Sequence, residues 1–235
     1  MRYLEIQNLY KRFVTPGGRE IPALQGVSFS LERGDILCIL GHNGSGKTTL
    51  LNCIRNTFSY DYGSVLVTGK KTDRNTKIVS VFQDVGLGVV GSMTPLENMS
   101  LVFSKKFPFM VSFPKKFFEK KIYDFLHKIE MYEQFKAFKD VPVSELSGGQ
   151  RQQVAILMAV LRSPDILLLD EFVANLDHRI KSDILSWVKT WILSQKVTTL
   201  MVTHDRNLAE SWGNWTLELS DGKVIRFEKT DECAR

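Results

Sequence analysis

Residues 36–49 constrain this chain more than any other stretch. An apolar run, Ile36-Leu37-Cys38-Ile39-Leu40, stops abruptly at Gly41-His42-Asn43-Gly44-Ser45-Gly46-Lys47-Thr48-Thr49. Apolar residues that end in glycines predict a buried strand feeding a tight loop. Beyond Gly46, Leu50, Leu51 and Ile54 recur at helical spacing, so the loop opens onto a helix N-terminus. Strand, glycine loop and helix form the geometry that binds phosphate. Gly41, Gly44 and Gly46 let consecutive N–H groups turn inward as an anion nest, and Asn43, Ser45 and Thr49 belong to the same candidate cradle. Lys47 supplies a mobile charge for β- and γ-phosphates, and the Thr48 hydroxyl is placed to ligate Mg2+. By itself the loop says that the chain binds a nucleoside triphosphate and no more.

Three further strand ends are candidates for chemistry. Ile166-Leu167-Leu168-Leu169 reads as a strand buried on both faces, and it ends in Asp170-Glu171. Carboxylates there are costly without a cation or a reacting water. Asp170 is placed to hold Mg2+ beside Thr48, and Glu171 to orient the attacking water and accept its proton. Val197 to Thr203 is a β-branched strand that ends in His204-Asp205, where a histidine can reach a γ-phosphate or simply be solvated. Gln83, after a strand from Lys77 to Phe82, has the same two readings, nucleotide-sensing or solvated.

The upstream region is strand-rich: Tyr3 to Leu9 and Ile21 to Leu31, joined through the turn Thr15-Pro16-Gly17-Gly18, then Gly63 to Gly69. Phe13 lies between the first two strands, either to stack on adenine or to serve as a core or turn aromatic. Trp215 to Leu219 and Lys223 to Phe227 form a closing hairpin about Asp221-Gly222.

Between these flanks the pattern turns helical. A glycine-rich segment after Asp84 leads to Thr94-Pro95-Leu96-Glu97, a capping box with proline at the first helical position. A helix follows, then a Lys/Phe-rich stretch from Lys105 to Lys121, then an amphipathic helix from Phe125 to Tyr132. Ser147-Gly148-Gly149-Gln150 precedes a long helix, Arg151 to Leu161, and forms a second ready-made anion site. Leu176-Asp177 starts another helix, with Asp177 as a cap. The expected organisation is one domain, with a nucleotide-binding core in 1–83 and 163–235 and an inserted helical subdomain in 84–162.

With 235 residues the chain can bury a large core. A formal charge of +5 is too modest to demand nucleic acid as a partner. Cys38 and Cys53, inside the apolar strand and the helix around the loop, read as small buried hydrophobes in a reducing compartment. No window approaches the apolar length of a membrane helix, and the N-terminus lacks a secretory pattern, so a soluble chain is expected, with any membrane role exercised through a partner.

Gly41 to Thr48, Gln83, Leu146-Ser147-Gly148-Gly149-Gln150, Ile166 to Glu171, Leu176-Asp177 and His204 stand in the order and spacing of the ABC-transporter ATPase family, which the chain resembles along essentially its whole length. The resemblance implies an α/β phosphate-loop NTPase core, an antiparallel β subdomain and an inserted α-helical subdomain. By it, Phe13 matches the adenine-stacking aromatic, Gln83 the glutamine that senses Mg2+ and faces the transmembrane partner, and His204 the histidine that holds the γ-phosphate. Asp177 matches the aspartate linking the two sites of a dimer. Two chains would pack head to tail, so that Lys47 of one and Ser147 and Gly149 of the other grip the same ATP.

The implied function is the ATPase motor of a membrane transporter, on the cytoplasmic face of the cell membrane, with ATP and Mg2+ as cofactors. Its partners would be transmembrane permease subunits, a second ATPase subunit and, through the permease, a solute-binding protein. A weaker resemblance is to the ATPases of uptake systems that work with a solute-binding protein, some serving amino acids. The alternative is a cluster-assembly ATPase of the same superfamily; no nucleic acid is expected. Three features depart from the family pattern: His42 stands where a proline is usual, Phe172-Val173-Ala174-Asn175 replaces Pro-Thr-Ser-Ala, and the segments 83–94 and 105–121 are less standard. The Lys/Phe-rich segment reads as a solvated lysine face with packed phenylalanines, or as a contact with the membrane partner or anionic headgroups; its aromatic and basic interleaving also suits single-stranded nucleic acid, a reading ranked last because prolines break the segment and no aromatic platform motif is present.

Overall fold

The computed structural model describes residues 2–71, 76–104, 115–174 and 176–230. Most of the Lys/Phe-rich stretch, residues 105–114, and Asn175 lie outside them. The chain divides into two compact units. The first comprises Met1–Ser80, Pro164–Glu171 and Ile192–Arg235, the second Val81–Ser163 and Phe172–Trp191.

In the first unit, β1 (Arg2–Val14) and β2 (Glu20–Glu32) form a long antiparallel hairpin, extended on the other side by β4 (Tyr62–Val67) and β5 (Lys70–Lys71) in the order β2-β1-β4-β5. β1 runs five residues past the expected end at Leu9, pairing Tyr10, Lys11, Arg12, Phe13 and Val14 with β2. That extension is largely exposed, so it lacks the alternation that marks a half-buried strand.

The second sheet holds β3 (Ile36–Leu40), β6 (Ile78–Val81), β7 (Ile166–Asp170), β8 (Thr198–Val202), β9 (Trp215–Ser220) and β10 (Lys223–Lys229) in the order β10-β9-β3-β8-β7-β6. β3 pairs in parallel with both β8 and β9, β7 pairs in parallel with β8, and β10 returns antiparallel to β9. β3 and β8 are buried along their whole length, which explains their unbroken apolar or β-branched sequences. Helix α1 (Lys47–Ile54) packs Leu50, Leu51, Cys53 and Ile54 into the core shared with both sheets, among Leu4, Ile6, Leu24, Leu37, Ile39, Leu168 and Leu200.

The helical unit contains α2 (Pro95–Ser104), α3 (Lys115–Lys128), α4 (Tyr132–Lys136), α5 (Gly148–Leu161) and most of α6 (His178–Gln195). Helix α7 (Arg206–Trp212) belongs to the first unit. The helical core gathers Met99, Ile122, Leu126, Met131, Phe135, Val154, Leu157 and Met158, with Trp187 of α6 packed against it. That packing is why residues 172–191 group with the helical block although they follow the Asp170 strand. The expected capping box at α2 is present: Thr94 N–H donates to Glu97 Oε2 at 2.9 Å, and Glu97 N–H to Thr94 Oγ1 at 3.2 Å. The helix expected from Phe125 to Tyr132 is instead the end of α3, which stops at Lys128. Glu130 takes φ 59 there and turns the chain into α4, a left-handed step with no glycine to announce it.

Candidate functional site

The carboxyl ends of three neighbouring parallel strands converge. In the order β3-β8-β7, β3 delivers the phosphate loop, β8 delivers Thr203 and His204, and β7 delivers Asp170 and Glu171. Ligands of open α/β sheets bind outside such strand ends.

The loop's glycines are sterically required. Gly41 has φ 149, and a Cβ there would come within 2.4 Å of Leu219 O and 2.6 Å of Ser45 Oγ. Gly46 has φ 107, and its Cβ would meet Ala23 O at 2.5 Å. The loop is thus pressed between β2 and the β9–β10 hairpin, whose Gly222 N–H donates to Ser45 O at 3.0 Å. The N-cap of α1 is Gly46, which offers no side-chain acceptor to the first N–H groups of the helix. Ser45 Oγ is buried without a hydrogen-bond partner, and Thr48 is exposed at the loop's edge. A helix N-terminus capped by glycine, with an orphaned buried hydroxyl beside it, fits the phosphates of ATP.

Lys47 is only 6 % exposed. Its Nζ donates to Gly41 O at 2.8 Å and His42 O at 2.9 Å, folding the ammonium back over its own loop. Burial depresses its pKa, and the Glu171 and Asp170 carboxylates oppose that. Asp170 moves the other way. Burial and the neighbouring Glu171 charge raise its pKa, while a hydrogen bond from Thr48 and the charges of Lys47 and Arg55 counteract them. The Thr48 hydroxyl and the Asp170 carboxylate thus meet, two hard oxygen donors of the kind Mg2+ takes. Glu171 stands at φ 45, a conformation costing about 1–2 kcal/mol for a residue with a side chain. Its N–H donates to Val202 O at 3.2 Å, and its Oε1 lies 2.5 Å from His204 Nε2. The arrangement can hold an anion, pair a cation with it, and present a carboxylate to a water.

Phe13 lies on β1, 37 % exposed, with Phe58 against its ring. Gln83 is exposed just beyond β6, in the helical unit. In the same unit Ser147 caps α5: Gln150 N–H donates to Ser147 Oγ at 3.3 Å, and Ser147 N–H to Gln150 Oε1 at 3.0 Å. Gln150, expected as a nucleotide contact, therefore spends its side-chain oxygen on the helix cap; the Ser-x-x-Gln spacing carried that signal. Gly148 is open, whereas a Cβ on Gly149 would reach Ile180 Cγ2 at 2.8 Å. Asp177 is exposed and accepts Lys181 N–H through its carbonyl at 2.8 Å, as the turn preceding α6. The structure brings Gly41 to Thr49, Asp170, Glu171 and His204 together; Gln83, Ser147 to Gln150 and Asp177 belong to the other unit. Sequence reasoning missed Arg55, whose charge acts on Asp170 from the far end of α1, because only the folded chain places it there.

The family model described as ABC transporter matches residues 24–174, more than half of the chain. The chain belongs to the ABC transporter family. It is similar to the tyrosine transport ATP-binding protein of Clostridioides difficile (36% identity, covering 97% of this chain and 93% of that one). It is also similar to the phosphonates import ATP-binding protein of Treponema denticola (30% identity, 94% and 88% covered). Among solved structures, the ATP-binding cassette MJ0796, a dimer in a post-hydrolysis state with ADP and Pi, matches with a TM-score of 0.81 at 30% identity, covering 97% of this chain and 99% of that one. This ABC transporter ATPase therefore has the expected α/β cassette fold with its antiparallel sheet, and it binds and hydrolyses ATP. Among the described residues, no helix is long and apolar enough to cross a membrane.

Proposed function

We propose that this chain is the ATP-hydrolysing motor of an uptake system: it dimerises head to tail on ATP and drives a separate transmembrane permease from the cytoplasmic face of the membrane. The observation that carries the reading is the convergence of Lys47, the Thr48–Asp170 pair and the Glu171–His204 pair at the ends of β3, β7 and β8. Relatives named for tyrosine transport and phosphonates import favour uptake of a small solute, an amino acid foremost.

In this reading the N–H groups of Gly41 to Thr49 receive the phosphates, and Lys47 exchanges its loop carbonyls for phosphate oxygens. Phe13 stacks on the adenine. Thr48 and Asp170 would hold Mg2+, which supplies charge neutralisation to the phosphates when bound. Glu171 orients the attacking water and takes its proton. His204, beside Glu171, holds the γ-phosphate and keeps the carboxylate aimed. Ser147 and Gly149 of a second copy complete the site, and Asp177 links the two sites; that the similar MJ0796 cassette is a dimer supports the involvement of a second copy.

The test is Glu171→Gln. Steady-state ATPase activity should fall about a hundredfold or more, as when a positioned base is lost, with ATP affinity by calorimetry retained. Turnover within a few-fold of the unsubstituted protein would remove Glu171 from the reaction.

A further inference from the structure

The helix that opens at the phosphate loop closes beside the base-stacking ring. The carboxyl end of α1 is a Schellman closure: Asn56, at φ 59, donates its N–H to Cys53 O at 3.1 Å, and Thr57 N–H donates to Asn52 O at 2.9 Å. Phe58 N–H reaches the same Asn52 carbonyl at 3.2 Å. Three donors on two carbonyls fix the point at which the Phe58 side chain leaves the backbone. Its ring meets Phe13 edge to face, centroids 5.5 Å apart and planes at 82°.

The same segment is fastened to β1 at its other end. The Asp61 carboxylate accepts the N–H of Arg12, the residue before Phe13, at 2.7 Å. Asp61 N–H donates to Tyr10 O at 2.8 Å. Residues 56–61 therefore bridge α1 and β1 by backbone hydrogen bonds and the Asp61 carboxylate, and Phe58 of the bridge meets Phe13 of β1. Lys11 Nζ lies 5.3 Å from the Phe13 centroid, over the ring. A half-exposed ring with no such support would sample several rotamers, and a base landing on it would have to immobilise it. A ring already held loses less on stacking.

We infer that Phe58 is a positioning residue for the nucleotide: it holds Phe13 in the orientation on which a purine stacks and ties that orientation to the helix that carries Lys47 and Thr48. One helix of eight residues, about 12 Å long, then sets both ends of the ligand, the phosphates at its amino end and the base beyond its carboxyl end. The inference rests on the reading of Phe13 as the base-stacking aromatic.

Calorimetry on the full chain separates the possibilities, with ATP and inorganic tripolyphosphate as the two probes in the presence of Mg2+. Phe58→Leu keeps most of the volume of a side chain packed against the core. It should weaken ATP binding about two- to tenfold, the range that edge-to-face pairs contribute, and leave tripolyphosphate affinity unchanged. Phe58→Tyr, which retains the ring, should restore ATP affinity. Phe13→Ala should weaken ATP at least as much as Phe58→Leu, again without touching tripolyphosphate. Equal weakening of both probes by Phe58→Leu would make Phe58 merely structural and overturn the inference, as would failure of Phe58→Tyr to restore binding. Unchanged ATP affinity in Phe58→Leu, with a loss in Phe13→Ala, would overturn the role of Phe58 alone. No effect of Phe13→Ala would remove the base-stacking reading and the inference with it.

Discussion

Burial holds Asp170 and Lys47 in surroundings unfavourable to their charged forms. Burial and Glu171 push the Asp170 pKa above the ordinary aspartate range, so the folded chain holds that proton more tightly than the unfolded chain does. Its contribution to stability is then full at low pH and is lost as the pH rises through the folded pKa. At neutral pH the ionised carboxylate is a net cost, and Asp170→Asn should raise the Tm of the nucleotide-free protein by a few degrees while abolishing Mg2+-dependent ATP binding. A lower Tm at neutral pH would contradict that sign. A cation bound at Asp170 must displace the proton, so Mg2+-ATP affinity should decline as the pH falls toward the Asp170 pKa, whereas metal-free ATP affinity should not decline through this group. For Lys47→Ala, ATP affinity should drop more than tenfold by calorimetry; an unchanged Kd would mean that the loop does not receive phosphate. At this scale the sequence was most legible where chemistry is encoded locally. Lys47, Thr48, Asp170 and Glu171 sit beside glycines or buried strand ends that announce them, whereas Arg55 and Phe58 acquire their neighbours only when α1 docks and caps.

Elements were readable where burial imposes a period. β3, β7 and β8 show unbroken apolar or β-branched runs because both faces are covered, and the α2 capping box is written in four consecutive residues. Legibility failed where the chain turned without glycine, as at Glu130 between α3 and α4, or where a strand continued in the open, as β1 does through Val14. The α5 terminus shows two demands on one motif. Ser147 and Gln150 form its cap, while Gly149 leaves room for Ile180. Replacing glycine within a helix by alanine gains up to about 1 kcal/mol, but overpacking costs about 1–3 kcal/mol. With Ile180 Cγ2 only 2.8 Å from the would-be Cβ, the clash wins. Gly149→Val should lower Tm by several degrees, and Ile180→Ala in the same chain should recover part of the loss; a Gly149→Val protein as stable as its parent would show that α6 yields freely.

The two compact units carry different halves of the sequence signature: the phosphate loop, Asp170, Glu171 and His204 in one, Gln83, Ser147 to Gln150 and Asp177 in the other. Order along the chain made the family legible, but no periodicity or spacing reveals which copy of Ser147 serves a given Lys47. The proposed answer is a second copy, so that ATP joins two chains and hydrolysis releases them. Sedimentation of Glu171→Gln tests this most directly, because that variant should bind ATP without consuming it. The variant should be a monomer without nucleotide, a dimer at saturating Mg2+-ATP, and a monomer again when Ser147→Arg is added to the same chain with ATP still bound. A Glu171→Gln protein that stays monomeric with its ATP site filled would contradict the second-copy proposal.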